Sequence, residues 1–274
     1  MVAQQGLTDV AERFIAARKT SIVLSEFPGP VPQSLRAAYG VQDAALALID
    51  DAVVGWKVGR LDAQNAARLR VDRLTGPVLK RSLQQLGNGA DPIGRVFAGG
   101  FGAVEAEFVF RIGLAPDEAQ RRFTVDDAAA LVDAVFVGFE IASSPYARIN
   151  ADGPLVTISD FGNNNGLLVG PEIRDWRSSA LADWTVVTEI NDVEQGRGTA
   201  SAFTDGPLGS VRFLLENLAS RAIPITPGLL VSTGAVSGVH PVAPGDRVRA
   251  DFGDFARIEC GIGAVGAALM VVTA

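Results

Sequence analysis

Apolar positions recur at helical spacing twice near the start of the chain. Leu7, Val10, Ala11, Phe14 and Ile15 predict a helix over 7–19, and Leu35, Ala38, Tyr39, Ala45, Leu46 and Ile49 predict a second over 33–50. Pro28, Pro30 and Pro32 make the connector between them turn-rich. The apolar run 52–59, with Trp56 and Lys57 at its centre, reads as a strand bounded by Gly55 and Gly59. These first 60 to 80 residues read as a small α/β lobe. The stretch 60–81 is irregular and basic, with Arg60, Arg68, Arg70, Arg73, Lys80 and Arg81. It reads as a solvated helix face, the alternative being a lid whose arginines attract a carboxylate substrate. After a loop over 87–102 comes a strand over 104–110, then a helix over 125–134 opened by Thr124 with acid in its first turn. An apolar strand follows over 134–142. Further strands are predicted near 155–159, 165–170, 184–190, 229–233, 247–252, 256–260 and 265–272. One more helix fits 207–220, with Pro207 at its first position. No repeat or linker divides the chain, and many short strands with few helices predict an α+β fold with a closed or rolled sheet.

Within the 104–110 strand, Glu105 and Glu107 fall on one face, roughly 6.6 Å apart along the backbone, while Ala106 and Phe108 face the other way. Two such carboxylates repel unless water or a cation neutralises them. An edge strand with a wet acidic face would show the same pattern, so a third carboxylate decides the matter. Glu140 is the candidate: it ends an apolar run, where a glutamate without a partner is costly. Either it pairs with an arginine, or the three glutamates hold one octahedral Mg²⁺ or Mn²⁺ with positions left for substrate oxygens. Lys57, set between Val54, Trp56 and Val58, either snorkels to the surface or serves proton transfer. Near a cation and partly dehydrated, its pKa is expected to fall.

Composition narrows the remaining options. The chain has 274 residues, 48% apolar and 20% charged, enough for a substantial core. A net charge of −7 argues against a nucleic-acid partner. The single cysteine, Cys260, forms no intrachain disulfide and reads as a buried strand thiol. The single histidine, His240, excludes histidine-rich zinc sites, and any Ser-His-Asp triad would rest on it alone. Its surroundings, residues 233–239, do not have the form of a nucleophile elbow. The N-terminus has neither the basic start nor the apolar run of a signal peptide, and no run of about 18 apolar residues suggests a membrane span. A cytoplasmic protein is expected.

Several stretches together resemble a known family. Residues 55–59 (Gly-Trp-Lys-Val-Gly), the Glu105–Glu107 strand, and residues 138–144 (Gly-Phe-Glu-Ile-Ala-Ser-Ser) with Ser159 and Asp160 downstream resemble the 2-keto-4-pentenoate hydratase group. That group also contains 4-oxalocrotonate decarboxylase and lies within the fumarylacetoacetate hydrolase superfamily. The early 39–43 and late 251–253 stretches extend the resemblance over nearly the whole chain. It implies a mixed β-roll over 81–274 with the small N-terminal α/β lobe over 1–80, together one unit. It also implies that Glu105, Glu107 and Glu140 bind the metal, that Lys57 transfers the proton, and that Thr233 and Gly234 close the pocket. Where the hydratases carry an acidic pair, this chain reads Leu74-Thr75-Gly76-Pro77, leaving Asp72 as the only acid close by. The usual Asp-Ser-Arg run is Ala142-Ser143-Ser144, and the Asp-Asn-Ala-Ser turn is Asp160-Phe161-Gly162-Asn163. Asp72, Thr75, Asp160 and Asn163 are therefore the positions expected to choose the substrate.

The function so implied is Mg²⁺- or Mn²⁺-dependent addition of water to a 2-hydroxy-2,4-dienoate, giving a 4-hydroxy-2-oxo acid in aromatic catabolism. Decarboxylation or C–C hydrolysis of a related 2-oxo acid is the enzymatic alternative. Hydrolases of the superfamily use a His-Glu pair, and His240 lies too late in the chain for it. A keto-acid-binding accessory subunit is the non-catalytic alternative. The resemblance further implies a homo-oligomer and allows a pathway-enzyme partner.

Overall fold

The β-branched and aromatic residues of 101–144 form two long antiparallel strands on which the rest of the chain is assembled. The computed structural model describes residues 2–87 and 91–266. The chain begins with α1 (Val2–Thr20), α2 (Leu35–Ala47), β1 (Val53–Arg60), α3 (Ala63–Leu69), β2 (Arg73–Leu79), β3 (Leu83–Gln85) and β4 (Ile93–Val96). The long strands are β5 (Phe101–Ile112) and β6 (Val132–Ser144), joined through α4 (Val125–Leu131). Then come α5 (Pro154–Ser159), β7 (Asn164–Glu172), β8 (Val186–Ile190), β9 (Val193–Gly198) and α6 (Gly206–Ser220). The chain ends with β10 (Leu230–Ser232), β11 (His240–Pro241), β12 (Arg247–Phe252) and β13 (Ala256–Ala264).

These strands make two sheets. The larger runs β2-β1-β10-β5-β6-β7-β3, with β11 added beside β5, and the smaller runs β4-β13-β12-β8-β9. The alternation of β5 decides which face does what. Ala106, Phe108 and Phe110 are fully or almost fully buried in the main core, and Phe108 meets Phe252 of the smaller sheet edge-to-face with ring centroids 5.5 Å apart. Glu105 and Glu107 occupy the opposite face. The strand is not an edge: β10 and β6 flank it, so the wet-edge reading of Glu-x-Glu is excluded. The result is the expected α+β architecture with curled sheets. Strands β1 and β2 of the N-terminal segment join this same large sheet, β1 pairing in parallel with β10. No described helix is long and apolar enough to cross a membrane.

Departures from the predicted elements are local. The stretch 155–159, predicted as a strand, is the helix α5. All six of its residues are buried, so alternation and helical spacing cannot be told apart, and the deciding signal is Pro154 at the first helical position. The irregular 60–81 stretch contains α3, capped by Asp62, and the edge strand β2. Pro77 is tolerated there because β2 has a partner on one side only. The predicted loop 87–102 contains β4, and the exposed β9 follows the Asn191-Asp192 turn, whose two residues both have positive φ. The strand predicted near 265–272 falls outside the described residues after its first two positions, which form a turn.

Candidate metal centre

Antiparallel pairing of β5 with β6 sets Glu105 directly opposite Glu140. Glu107, two residues along β5, shares their face. One carboxylate oxygen from each of the three residues lies within 4.8 Å of the others. All three side chains are buried, Glu107 and Glu140 completely. Lys57 on β1 completes the group, its Nζ 3.3 Å from Glu140 Oε2 and its side chain buried.

Each glutamate is aimed by neighbours. Glu107 Oε2 accepts from Ser232 Oγ at 2.5 Å and from the Gly234 amide at 2.8 Å. Gly234 has φ +107, a conformation that L side chains rarely adopt, and this turns its N–H toward the carboxylate. Glu140 Oε1 accepts from Asn164 Nδ2 at 3.0 Å. The opposite oxygens are bare. Glu107 Oε1 has no hydrogen-bond partner, and Glu140 Oε2 has only the ion-pair contact with Lys57. Buried carboxylate oxygens left open in this way are costly. They form the donor set that a hard divalent cation takes, and the residues present fit such an ion.

The electrostatics agree. Burial, then the charges of Glu140 and Glu105, push Glu107 well above the carboxylate range. Burial also pushes Glu140 up to about 7, against the pull of Lys57. Burial works against the Lys57 ammonium, but Glu140, Glu105 and Glu107 outweigh it and hold its pKa above the ordinary lysine value. The lowering expected from sequence was for Lys57 beside a bound cation, whose charge would offset these carboxylates.

A cavity of about 270 Å³ opens beside this cluster, with Lys57, Arg60, Glu105, Asn150, Thr157 and Asn163 in its wall. Asn163 Nδ2 donates to Asn150 Oδ1, while the buried Asn163 Oδ1 has no partner. The other substrate positions expected from sequence lie elsewhere. Asp72 is outside the lining, paired with Arg73. Thr75 is fully buried behind Leu74 and accepts at Oγ1 from Arg221 while its amide donates to the Tyr39 hydroxyl. Asp160 is buried against Arg18 of α1 at 2.5 Å, behind the cluster. Thr233 spends its hydroxyl on the Phe108 carbonyl at 2.8 Å, which fixes the Gly234 turn. His240 is buried with Ser237 Oγ 3.4 Å from its Nε2, and no described carboxylate hydrogen-bonds its ring. A triad has no acid there.

A family model for the C-terminal part of fumarylacetoacetate (FAA) hydrolase matches residues 95–268. The chain belongs to this family. Its curated relatives include 4-oxalocrotonate decarboxylase from Pseudomonas putida, 28% identical over 124 residues, and from Pseudomonas sp. (strain CF600), 27% identical over 124 residues. Each match spans 45% of this chain and 47% of the relative, so about half of those enzymes is covered. Over the whole fold, 4-oxalocrotonate decarboxylase from Pseudomonas putida G7, solved with magnesium and adipate, superposes with a TM-score of 0.79. That alignment covers 94% of this chain and 97% of the other at 20% identity. Fumarylpyruvate hydrolase from Pseudomonas aeruginosa, solved with Mn²⁺ and pyruvate, gives a TM-score of 0.54 over 76% of this chain and 88% of that one, at 16% identity. Proteins that share this fold thus include a decarboxylase, a hydrolase and an isomerase.

Ser232, Asn164 and Asn150 were not singled out from sequence as parts of the site, while Arg60 entered only through the lid alternative for the basic stretch 60–81. The signal for two of them was present: a serine closing the apolar strand before Thr233-Gly234, and the run of asparagines at 163–165.

Proposed function

We propose that this chain is a divalent-metal-dependent lyase acting on a 2-oxo acid or its enol tautomer, with water addition to a 2-hydroxy-2,4-dienoate as the reaction. The observation that carries it is the buried Glu105–Glu107–Glu140 cluster with Lys57 across from it. Glu105, Glu107 and Glu140 would hold Mg²⁺ or Mn²⁺, as the magnesium and Mn²⁺ bound by the two structural relatives suggest. When bound, such an ion supplies a Lewis-acid centre for the acid's carboxylate and 2-oxygen.

The chain's own groups do the rest. Ser232 and the Gly234 amide keep Glu107 in place, and Asn164 does the same for Glu140. Lys57, carrying its proton against the carboxylates, is placed to give that proton to the diene carbon during ketonisation and to recover it afterwards. Asn163, a residue of the cavity wall whose buried Oδ1 has no partner, would accept a hydrogen bond from the incoming water, and Thr157 and Asn150 make the same wall polar. Burial of the inner groups keeps bulk water from the enol.

Decarboxylation is the second reading, for two reasons. The curated relatives matched are decarboxylases. Beyond the metal-facing Glu105, the cavity wall has one carboxylate, Asp62, and the cap of α3 already occupies it. Lys57→Met is expected to lower turnover by about 10²-fold or more while Mn²⁺ binding persists, and full turnover in that variant would remove Lys57 from the mechanism. Product analysis separates the readings: hydration leaves all carbons in the product, decarboxylation releases CO₂.

A further inference from the structure

The first helix of the chain ends in a guanidinium that reaches the back of the glutamate cluster. The apolar face of α1, with Val10, Ala11, Phe14 and Ile15 buried, packs in one cluster with Phe161. This brings the last turn of α1 against the loop from α5 to β7, where the Arg18 side chain is only 11% exposed. Arg18 Nε donates to Asp160 Oδ1 at 2.5 Å, and Nη1 donates to Asn165 Oδ1 at 3.0 Å. Nη2 is shared among the carbonyls of Ser143, Asp160 and Asn164 at 3.3, 3.4 and 3.3 Å. The planar group also lies 5.1 Å from the ring centroid of Phe161 and 5.7 Å from that of Phe97.

Two of these partners lead straight to a glutamate. Ser143 follows Glu140 on β6 by three residues, and Asn164, the first residue of β7, is the donor to Glu140 Oε1. The turn between Asp160 and Asn164 also carries Asn163 of the cavity wall. Its backbone is unusual: Phe161, Gly162 and Asn163 have φ of 57, 60 and 59 in succession. Residues with side chains rarely adopt that conformation, and it persists only where the surroundings over-determine it. Strand β2 packs against the turn so closely that a Cβ at Gly76 would stand 1.9 Å from the Phe161 carbonyl oxygen. Arg18 holds both of its ends, Asp160 at one and Asn164 and Asn165 at the other. A lysine could keep the charge but could not span these acceptors from one plane.

We propose that Arg18 is a positioning residue for the metal centre: by fixing the 160–165 turn against β6 it aims Asn164 at Glu140 and holds Asn163 in the cavity wall. The inference rests on the reading of the three glutamates as metal ligands and deepens it. Arg18 is not in the cavity wall and bonds none of the three glutamates. It acts on the ion through Asn164, so its effect on metal affinity disappears once the Asn164 side chain is gone. A residue that only stabilised the fold would weaken the centre equally with or without Asn164.

The test is a double-mutant cycle on Mn²⁺ affinity, read by calorimetric titration of the full chain at a temperature where circular dichroism shows each variant folded. R18K is expected to weaken Mn²⁺ binding by about fivefold to tenfold, at or below the low end of what losing a side chain bonded to the ligand itself costs. Added to N164A, R18K is expected to cost less than about twofold more. Unchanged affinity in R18K, or losses of R18K and N164A that multiply, overturns the positioning role and leaves the metal reading standing. Absence of Mn²⁺ binding by the wild-type chain overturns both. Should R18K fail to fold, N165A, which removes the acceptor of Nη1, takes its place in the cycle. A loss of about threefold is then expected, and no loss overturns the role.

Discussion

Replacing Glu107 by glutamine removes one charge from the cluster while keeping its shape, so stability and metal affinity should move in opposite directions. The ligand oxygens lie within 4.8 Å of one another, and two unit charges at that separation repel by about 3.5 kcal/mol at an effective dielectric of about 20. Burial and the neighbouring glutamates already favour protonated Glu107, so part of that repulsion is relieved without the substitution. Ser232 and the Gly234 amide can still donate to the amide oxygen of Gln. The net gain with a chelator present at pH 8 is on the order of 1–3 kcal/mol, roughly 2–8 °C in melting temperature. Mn²⁺ affinity should fall by about 100-fold or more, because an anionic ligand is lost. Thermal denaturation in chelator and calorimetric titration with Mn²⁺ read the two effects separately. A lower melting temperature in chelator, or unchanged Mn²⁺ affinity, would refute the claim that Glu107 is a mutually repelled ligand.

Three further outcomes follow from the same geometry. Asn164→Ala frees Glu140 Oε1 and should weaken Mn²⁺ binding by about 10–100-fold with little change in fold, as read by titration and circular dichroism. Arg18→Met strands the buried Asp160, whose Oδ2 already lacks a partner, and should cost about 3–5 kcal/mol in urea denaturation; a loss under 1 kcal/mol would contradict a structural role for the pair. Burial raises Glu140 from 4.5 to about 7 in the folded chain, so the folded state binds a proton that the unfolded state releases. Stability in chelator is therefore full below about pH 4.5 and declines as pH rises through about 7, by on the order of 3 kcal/mol, with Mg²⁺ flattening the slope.

The clustering of the three glutamates was legible because strand alternation is a strict rule. A Glu-x-Glu spacing in an aromatic and β-branched strand can only place both carboxylates on one side, and an isolated glutamate at the end of an apolar run has to be matched by something. The strands at 247–252 and 256–260 were legible for the same reason, and the helix at 207–220 through its proline. What the sequence hid was long-range partnership. Asp160 looks like a substrate residue until Arg18, 142 positions earlier, is seen to occupy it. Asp72 and Thr75 lie near the site in sequence, but the Arg73 guanidinium and the Tyr39 and Asn217 side chains hold them outside the cavity. Residues 154–159 hid their helix because every side chain is buried, which erases the polar half of either periodicity. Arg60 could be seen only as part of a basic stretch.

The central claim is that three carboxylates from two adjacent strands, with Lys57 beside them, hold one divalent ion that receives a 2-oxo acid. A crystal grown with Mn²⁺ and oxalate, measured for anomalous scattering, tests it most directly. The account predicts a single strong peak ligated by Glu105, Glu107 and Glu140, with oxalate on its open side and Lys57 within hydrogen-bond reach. A peak elsewhere, or Glu140 remaining paired with Lys57 and free of metal at saturating Mn²⁺, would contradict it.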